Sequence, residues 1–255
     1  MLLTCDISAA RGYTSQAQIS RVLSEAWFCE NGYCLSCDND TLSQMPANTK
    51  AADFACGVCE AQYELKTFRS MPRRTLVDGA YCALISRIES GWAPTLVLLE
   101  RNSRWEIQGL TAIHHLFLTP SVVERRKPLS PSARRAGWVG CNIRLDLMGS
   151  DAQVKVIDRG VPLERESVRD SFQRFESLKE ISPESRGWAT LTLAVVRSLG
   201  CREFSLNDVY EREQTFADSY PKNSNIRAKV RQQLQVLRDL GCVQFRGHGH
   251  YRLLL

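Results

Sequence analysis

Four cysteines in two closely spaced pairs are the residues of this chain best suited to hold a metal. Cys34 and Cys37 form a C-L-S-C motif, and Cys56 and Cys59 form a C-G-V-C motif after eighteen intervening residues. Zinc accepts four thiolates at about 2.3 Å, and each C-x2-C turn places two sulfurs on one side of the ion. We therefore expect a structural Zn²⁺ site, because four protein ligands leave no open position for catalysis.

Two carboxylates and a lysine surround the second cysteine pair. In a strand, Glu64 and Lys66 share one face, and Asp53 on the neighbouring strand of the same hairpin can approach Glu64. Carboxylate oxygens suit Mg²⁺, which lowers the pKa of a bound water and stabilises the charge on an attacked phosphate. The pattern predicts a phosphodiesterase site in which Asp53 and Glu64 bind Mg²⁺ and Lys66 orients the water or neutralises the phosphate.

An E-x-K triplet by itself is common in proteins, so the wider composition has to support this prediction. The chain has 255 residues, of which 44% are apolar and 24% are charged, which favours one large or two smaller folded domains. We find no apolar run of the roughly 18 residues needed to span a bilayer and no basic leader before an apolar stretch. We expect a soluble, cytoplasmic protein with no membrane partner, whose ten cysteines serve metal ligation more than disulfides.

Positive charge is concentrated in two segments. Residues 221–255 carry seven Lys or Arg and one acid, a charge of +6, which leaves 5 − 6 = −1 for the rest of the chain. Residues 125–142 carry five basic residues, no acid and one aromatic, Trp138, among prolines and glycines. Such segments are typical of surfaces that bind a polyanion, although charge alone leaves a solvated helix face as an alternative.

The hydrophobic pattern predicts an α/β fold in residues 1–182. It indicates helices at 14–29, 78–90 and 164–178, and strands at 52–56, 61–68, 94–100, 105–113, 143–147 and 154–158. This order favours a mixed sheet with helices packed against it. Residues 179–187, with a serine-proline pair and a glycine, are predicted to be a linker.

Residues 183–255 show a different pattern, with helices predicted at 188–199, 204–211 and 226–240, followed by two short strands around a Gly/His turn. Three helices and a hairpin indicate a winged helix-turn-helix domain. Its recognition helix is predicted at 226–240 and its wing tip at 246–250.

Long stretches of the chain resemble the DpnI family of methyl-directed type II restriction endonucleases. The resemblance rests on A-D-F-A-C, C-E-A-Q-Y-E-L-K, V-D-G-A-Y, R-K-P-L-S-P-S-A-R-R-A-G-W-V-G-C-N-I, S-R-G-W and K-V-R-Q-Q-L-Q-V-L-R-D. Within them, D-F…E-L-K resembles the PD-(D/E)xK nuclease signature, with Ala52 at the usual proline position. The resemblance implies a monomer with a PD-(D/E)xK mixed sheet, an embedded zinc site and a C-terminal winged helix. It also implies cleavage of double-stranded DNA at GATC containing N6-methyladenine.

Reading a methyl group requires an apolar or aromatic surface, because a methyl offers no hydrogen bond. Trp138 is our candidate for this contact, with a core tryptophan as the alternative. The polar and basic residues expected to contact phosphates or base edges are Arg126, Lys127, Arg134, Arg135, Asn223, Ser224, Asn225, Arg227, Arg231, Arg246 and His248.

Two other functions remain open from the sequence. A non-catalytic DNA-binding regulator with a zinc ribbon and a winged helix would have the same basic segments, but it would not need Asp53, Glu64 and Lys66. A nuclease that acts on other DNA, such as damaged or branched duplexes, would need the same three residues. Metal-dependent nicking of DNA would distinguish a nuclease from the non-catalytic regulator. A panel of DNA substrates would distinguish the methyl-directed nuclease from one that acts on other DNA.

Overall fold

The computed structural model describes residues 1–46, 49 and 52–254. The helices and strands of this part of the chain are, in order, α1 (Gln16–Asn31), β1 (Ser43–Gln44), β2 (Phe54–Ala55), β3 (Gln62–Phe68), β4 (Thr75–Ala80), α2 (Tyr81–Glu89), β5 (Thr95–Arg101), β6 (Ile107–Ile113), β7 (Val123–Arg125), β8 (Gly140–Arg144), β9 (Gln153–Asp158), β10 (Val161–Pro162), α3 (Arg165–Gln173), α4 (Pro183–Ser198), β11 (Glu203–Ser205), α5 (Leu206–Tyr210), α6 (Glu213–Ser219), α7 (Ile226–Asp239), β12 (Val243–Gly247) and β13 (His250–Leu253). None of these helices is long and apolar enough to cross a bilayer.

The chain divides into two compact units, and the first is built on a mixed sheet. This first unit consists of Met1–Arg73, Trp92–His115 and Gln153–Glu176. Its described residues form seven strands in the order β1-β2-β3-β5-β6-β9-β10. Strands β3 and β5 are parallel, and the other neighbouring pairs are antiparallel. The Asp53–Lys66 hairpin thus leads directly into the middle of the sheet.

Most of the large apolar residues of the central strand β5 and of the first helix α1 are buried. Residues 95–99 of β5 are all buried, as expected for a strand covered on both faces. On α1, Leu23, Trp27 and Phe28 are buried, and the Phe28 ring meets Phe54 edge-on with centroids 4.9 Å apart. Burial of each such side chain contributes roughly 1.5–3 kcal/mol, which fixes α1 against the hairpin.

The second unit consists of Arg74–Gly91, Leu116–Ala152 and Ser177–Leu255. Its described residues form two antiparallel three-stranded sheets, in the orders β4-β8-β7 and β11-β13-β12. Helix α4 contacts the short helical turns at Pro120–Val122 and Ser150–Ala152. Arg197 of α4 also forms a two-pronged ion pair with Asp151, with both N–O distances at 2.7 Å. The second unit therefore joins the sheet β4-β8-β7 to the helices of the C-terminal segment.

The C-terminal segment has the helices and hairpin of a winged helix-turn-helix. Helix α6 contacts α7, and β12 and β13 pair across a turn at residues 247–249. Gly247, His248 and Gly249 all have positive φ angles, of 96°, 48° and 76°. Glycine adopts this conformation without strain, which makes the sharp wing tip possible.

The predicted fold class is confirmed: a mixed α/β domain with a four-cysteine cluster precedes a small helical domain with a β-hairpin. Three predictions about elements before residue 188 were wrong, and the helix predicted at 204–211 begins only at Leu206, because Glu203–Ser205 form β11. Residues 75–80 form strand β4, so the helix predicted from residue 78 begins at Tyr81. The strand predicted at 143–147 is instead β8, which ends at Arg144 and is followed by a 3-10 turn.

The third error concerns the predicted linker at 179–187, most of which is helical. Residues 183–187 form the first turns of α4, with Pro183 in its first turn. The Ser182 side chain accepts a hydrogen bond from the Ser185 amide at 3.3 Å and caps the helix. The division of the chain at residue 182 falls within the second unit and stays a prediction.

Candidate functional site

The four predicted zinc ligands lie together in the first unit. The sulfurs of Cys34, Cys37, Cys56 and Cys59 are all within 4.8 Å of one another. The Cys34–Cys59 and Cys37–Cys56 sulfur distances are 3.5 and 3.6 Å. Tetrahedral zinc with bonds of about 2.3 Å requires sulfurs about 3.8 Å apart. The four residues therefore fit Zn²⁺ by both chemistry and spacing. All ten cysteines are free thiols.

Hydrogen bonds prepare one of these sulfurs for metal binding. Cys56 Sγ accepts hydrogen bonds from Asn39 Nδ2 at 3.3 Å and from the Val58 amide at 3.4 Å. Burial raises the pKa of the Cys56 thiol, but hydrogen bonds from the Cys59 amide and from Asn39 outweigh it and lower the pKa to about 6. A lowered pKa favours the thiolate form of Cys56, which is the form that zinc requires.

Helix α3 holds the first cysteine turn from the other side. Arg169 donates hydrogen bonds to the backbone oxygens of Cys34 and Asn39, both at 3.1 Å, and its guanidinium pairs with Asp40 at 3.0 Å. Arg165 pairs with the same Asp40 oxygen at 2.7 Å. The path of the loop from Cys34 to Asp40 is thus fixed by α3.

Of the three predicted nuclease residues, Glu64 and Lys66 lie on β3, and Asp53 immediately precedes β2, the strand that pairs with β3. The Asp53 amide donates to the Tyr63 carbonyl at 2.9 Å, and Asp53 Oδ2 accepts a hydrogen bond from the Leu65 amide at 2.8 Å. Glu64 Oε1 and Lys66 Nζ are 2.5 Å apart on one face of β3. These two side chains are only 13% and 21% exposed, so weak solvent screening strengthens their attraction.

A cleft beside Asp53 contains a further acid, Glu25 of α1. The cleft has a volume of about 250 Å³, and its lining includes Arg21, Glu25, Gln44 and Asp53. Gln44 Nε2 donates to Glu25 Oε2 at 3.1 Å. Burial raises the pKa of Glu25, the charge of Asp53 raises it further, and Arg21 opposes both effects. Glu25 therefore faces the same cleft as Asp53.

The carboxylates are less tightly grouped than the thiols. In the described part of the chain, Glu25, Asp53 and Glu64 do not form a cluster with ligand oxygens within 4.8 Å of one another. Their hard oxygens match the donor set of Mg²⁺, which keeps several waters and needs only one or two protein carboxylates.

Every residue predicted to contact DNA lies in the second unit, whereas the thiols and the nuclease residues lie in the first. Arg126, Lys127, Arg134 and Arg135 are exposed on the loop between β7 and β8. This loop is closed by hydrogen bonds from the Leu129 amide to the Trp138 carbonyl at 2.9 Å and from the Gly137 amide to the Leu129 carbonyl at 3.1 Å. The basic loop is thus an ordered hairpin.

Trp138 is half-buried at the base of this loop. The Arg135 guanidinium carbon lies 4.9 Å from the centroid of the Trp138 ring. A Cβ atom on Gly140 would come within 2.8 Å of two ring atoms of Trp138. The indole therefore rests directly against the Gly140 backbone, a position that any larger residue would block.

The predicted residues of the winged helix are mostly exposed at the start of α7 and on the wing. Ser224, Asn225, Arg227, Arg231, Arg246 and His248 are exposed, and Asn223 is half-buried. Asn223 Oδ1 accepts a hydrogen bond from the Asn225 amide at 2.8 Å, which shapes the turn before the helix. Arg227 is held by Glu213 at 2.8 Å, so this arginine already has a partner on α6.

The two parts of the chain define a class of protein: a mixed α/β domain with a four-cysteine cluster, joined to a helix-turn-helix domain. Comparison with known families identifies it further. The model of the DpnI (Dam-replacing) family matches residues 1–181, and the model of the Dam-replacing HTH domain matches residues 184–253. The chain therefore belongs to the DpnI family, which confirms the resemblance seen in its sequence.

Proposed function

We propose that this protein is a Mg²⁺-dependent endonuclease that cleaves double-stranded DNA at GATC containing N6-methyladenine. One observation carries the proposal: in a chain of the DpnI family, Asp53 accepts the Leu65 amide hydrogen bond beside the Glu64–Lys66 pair. This hydrogen bond holds Asp53 against β3, the strand that carries Glu64 and Lys66. Family membership further supports a monomeric, cytoplasmic enzyme with a structural Zn²⁺.

Each residue has a distinct role in the proposed reaction. Asp53 and Glu64 would hold Mg²⁺, and the Leu65 amide keeps the Asp53 carboxylate oriented. Bound Mg²⁺ would lower the pKa of a water molecule and offset the charge that develops on the phosphate. Lys66 either orients the attacking water or neutralises the phosphate, since its ammonium lies on the same face as Glu64. In-line attack would leave a 5′-phosphate and a 3′-hydroxyl.

Metal-dependent cleavage tests the nuclease function. Supercoiled plasmid from a strain that methylates GATC is incubated with the protein and Mg²⁺, and in parallel with a chelator of divalent cations. We expect linear fragments with Mg²⁺ and intact plasmid with the chelator. Binding without any nicking would contradict the proposal and favour a non-catalytic DNA-binding regulator.

Glu25 is expected to strengthen Mg²⁺ binding, because its carboxylate shares the cleft with Asp53. Glu25→Gln removes the charge but keeps the shape, so the Mg²⁺ concentration for half-maximal cleavage should rise roughly tenfold. The measurement is a Mg²⁺ titration of the cleavage rate. Glu30→Gln is the matched control, because Glu30 is exposed on the same helix. An unchanged Mg²⁺ requirement in Glu25→Gln would remove Glu25 from the metal site.

For methyl recognition, we propose that Trp138 packs its ring against the adenine methyl group, flanked by Arg134 and Arg135 as phosphate contacts. A half-buried indole at the base of a basic hairpin offers an apolar surface next to positive charge. The winged helix would add contacts through the start of α7 and the wing, including Arg231 and Arg246. Phosphate contacts give affinity, and the apolar contact gives the preference for methylated sites.

Gly140 offers a test of this role without touching DNA contacts. Gly140→Ala would force the Trp138 ring aside, because the added carbon would stand 2.8 Å from it. We expect Trp138→Ala and Gly140→Ala both to lower the preference for methylated over unmethylated duplex by about fourfold per methyl group, the value of one buried CH₂-sized group.

Gly79→Ala is the matched control, since Gly79 lies in the same sheet on β4 and an added Cβ would meet no atom within 4 Å. The measurement is the ratio of dissociation constants for methylated and unmethylated duplexes in the presence of Ca²⁺ in place of Mg²⁺. A ratio that stays at the wild-type value in both Trp138→Ala and Gly140→Ala would contradict methyl reading by Trp138.

A further inference from the structure

Tyr63 connects the four-cysteine cluster to the strand that carries Glu64 and Lys66. It is the residue before Glu64 on β3, its ring is 1% exposed, and its backbone pairs with Phe54 on β2. Its hydroxyl oxygen lies 3.3 Å from Cys34 Sγ and accepts a hydrogen bond from the Leu35 amide at 2.9 Å. One side chain of the nuclease strand thus reaches directly to a proposed zinc ligand.

With zinc bound, Cys34 would be a thiolate without a proton, so the Tyr63 hydroxyl would be the donor in the Tyr63–Cys34 contact. The Leu35 amide can only donate, so the Tyr63 oxygen is the acceptor in that bond. The hydroxyl proton is then available for the Cys34 sulfur, which is a strong acceptor in its thiolate form.

The Tyr63–Cys34 hydrogen bond would matter because it offsets part of the negative charge of the buried zinc site. Four thiolates around Zn²⁺ carry a net charge of −2, and Cys34 is fully buried. A buried negative cluster requires hydrogen-bond donors around its sulfurs, and such outer partners tune metal affinity. Asn39 and the Val58 amide serve Cys56 in this way. The Tyr63 hydroxyl lies at the same distance from the Cys34 sulfur, 3.3 Å, as the Asn39 side chain does from the Cys56 sulfur.

The Tyr63 hydroxyl is one of several groups that hold the loop. Arg169 holds the backbone oxygens of Cys34 and Asn39 from α3, and Arg169 and Arg165 both pair with Asp40. Loss of the hydroxyl would therefore remove a donor from the sulfur and the acceptor of the Leu35 amide, while the contacts from α3 would still hold the loop.

We propose that Tyr63 is an outer-sphere partner of the zinc site, whose hydroxyl donates to the Cys34 thiolate and so ties zinc retention to strand β3. This inference rests on the proposed structural zinc but not on nuclease activity. Tyr63 is a positioning residue in this role, because it contacts a metal ligand and not the substrate.

Zinc retention in Tyr63→Phe tests the proposal in the absence of DNA. The variant removes the hydroxyl and keeps the buried ring. We expect its zinc affinity, measured by competition with a chromogenic chelator, to fall by about 10-fold to 100-fold, as for other outer-sphere substitutions.

Tyr33→Phe is a closely matched control. Tyr33 is also buried, at 3% exposure, and adjoins Cys34, but its hydroxyl has no hydrogen-bond partner among the described residues. Wild-type affinity in Tyr33→Phe together with the loss in Tyr63→Phe would support the proposal. Unchanged affinity in Tyr63→Phe, or an equal loss in Tyr33→Phe, would overturn it.

A second measurement uses the wild-type protein and so does not depend on how a variant folds. With ¹¹³Cd²⁺ in place of zinc, a hydroxyl proton that donates to a metal-bound sulfur acquires a scalar coupling to the cadmium nucleus. We expect a slowly exchanging tyrosine hydroxyl proton with this coupling. A spectrum without any cadmium-coupled hydroxyl proton would overturn the assignment, whatever the nuclease activity of the protein.

Discussion

Lys66→Ala is expected to lower DNA cleavage by about a thousandfold and to leave DNA binding intact, because only the chemical step needs the ammonium group. The lysine is largely buried beside Glu64, where its charge acts on the reacting groups with little solvent screening. Its removal would leave the proposed Mg²⁺ ligands Asp53 and Glu64 in place. The residues proposed to hold DNA lie in the second unit and would be unaffected.

Two measurements separate the chemical step from binding in this variant. Single-turnover cleavage with Mg²⁺ reports the chemistry, and fluorescence anisotropy with Ca²⁺ reports the affinity for methylated duplex. Lys155→Ala is the control, since Lys155 lies on β9 of the same sheet and also pairs with an acid, Asp158. Cleavage by Lys66→Ala within tenfold of the wild-type rate would show that Lys66 has no part in the reaction.

Cys56→Ser is expected to lose zinc and, with it, both stability and cleavage. Cys56 is 2% exposed and has the sulfur that two hydrogen bonds prepare for the metal. A structural zinc contributes its binding energy to folding, so we expect a loss of more than about 4 kcal/mol. For a chain of this size, the melting temperature would fall by more than about 10 °C.

The expected loss of cleavage arises from the strands and not from contact with DNA. The cluster closes the hairpin between Asp53 and Glu64, so its loss would release the two strands from their register. Metal content, thermal melting and cleavage are measured on the same sample. Cys29→Ser is the matched control, because Cys29 is an exposed free thiol in the same unit. A zinc-free Cys56→Ser protein with full activity would break the link between the zinc site and the nuclease site.

Local patterns in the sequence were sufficient where local contacts determine the structure. The i, i+3, i+4 pattern of Leu23, Trp27 and their neighbours predicted α1 because those side chains are the ones buried. The continuous apolar run predicted at 94–100 indicated a strand covered on both faces, and residues 95–99 of β5 are indeed all buried. The two C-x2-C turns predicted a four-sulfur cluster because ligand spacing in zinc sites is itself local.

The incorrect predictions arose where distant pairing or capping decides the outcome. Asp78 resembles a helix cap, but residues 75–80 pair with β8, and Asp78 lies opposite Cys141 more than sixty residues away. Ser182 and Pro183 were interpreted as a linker, although serine followed by proline is also the usual start of a helix. An aspartate alone does not distinguish a helix cap from a strand residue, and a serine-proline pair alone does not distinguish a linker from the start of a helix.

The position of Glu25 in the candidate site is likewise decided by contacts between residues that are distant in sequence. A single acid on an amphipathic helix can face an active site but is more often solvated, so the sequence pattern alone does not locate Glu25 beside Asp53. The packing of α1 against the hairpin brings Glu25 to Gln44 and into the cleft that Asp53 lines. Burial next to another carboxylate, which raises the Glu25 pKa, is a property of the folded chain alone.

Cleavage of matched duplexes tests the central claim most directly. Two DNA duplexes of identical sequence, each with one GATC, differ only in N6-methylation of its adenines and are incubated with the protein and Mg²⁺. We predict cleavage of the methylated duplex at GATC and an intact unmethylated duplex. Equal cleavage of the two duplexes would contradict methyl-directed activity, and cleavage of neither would contradict the proposed nuclease.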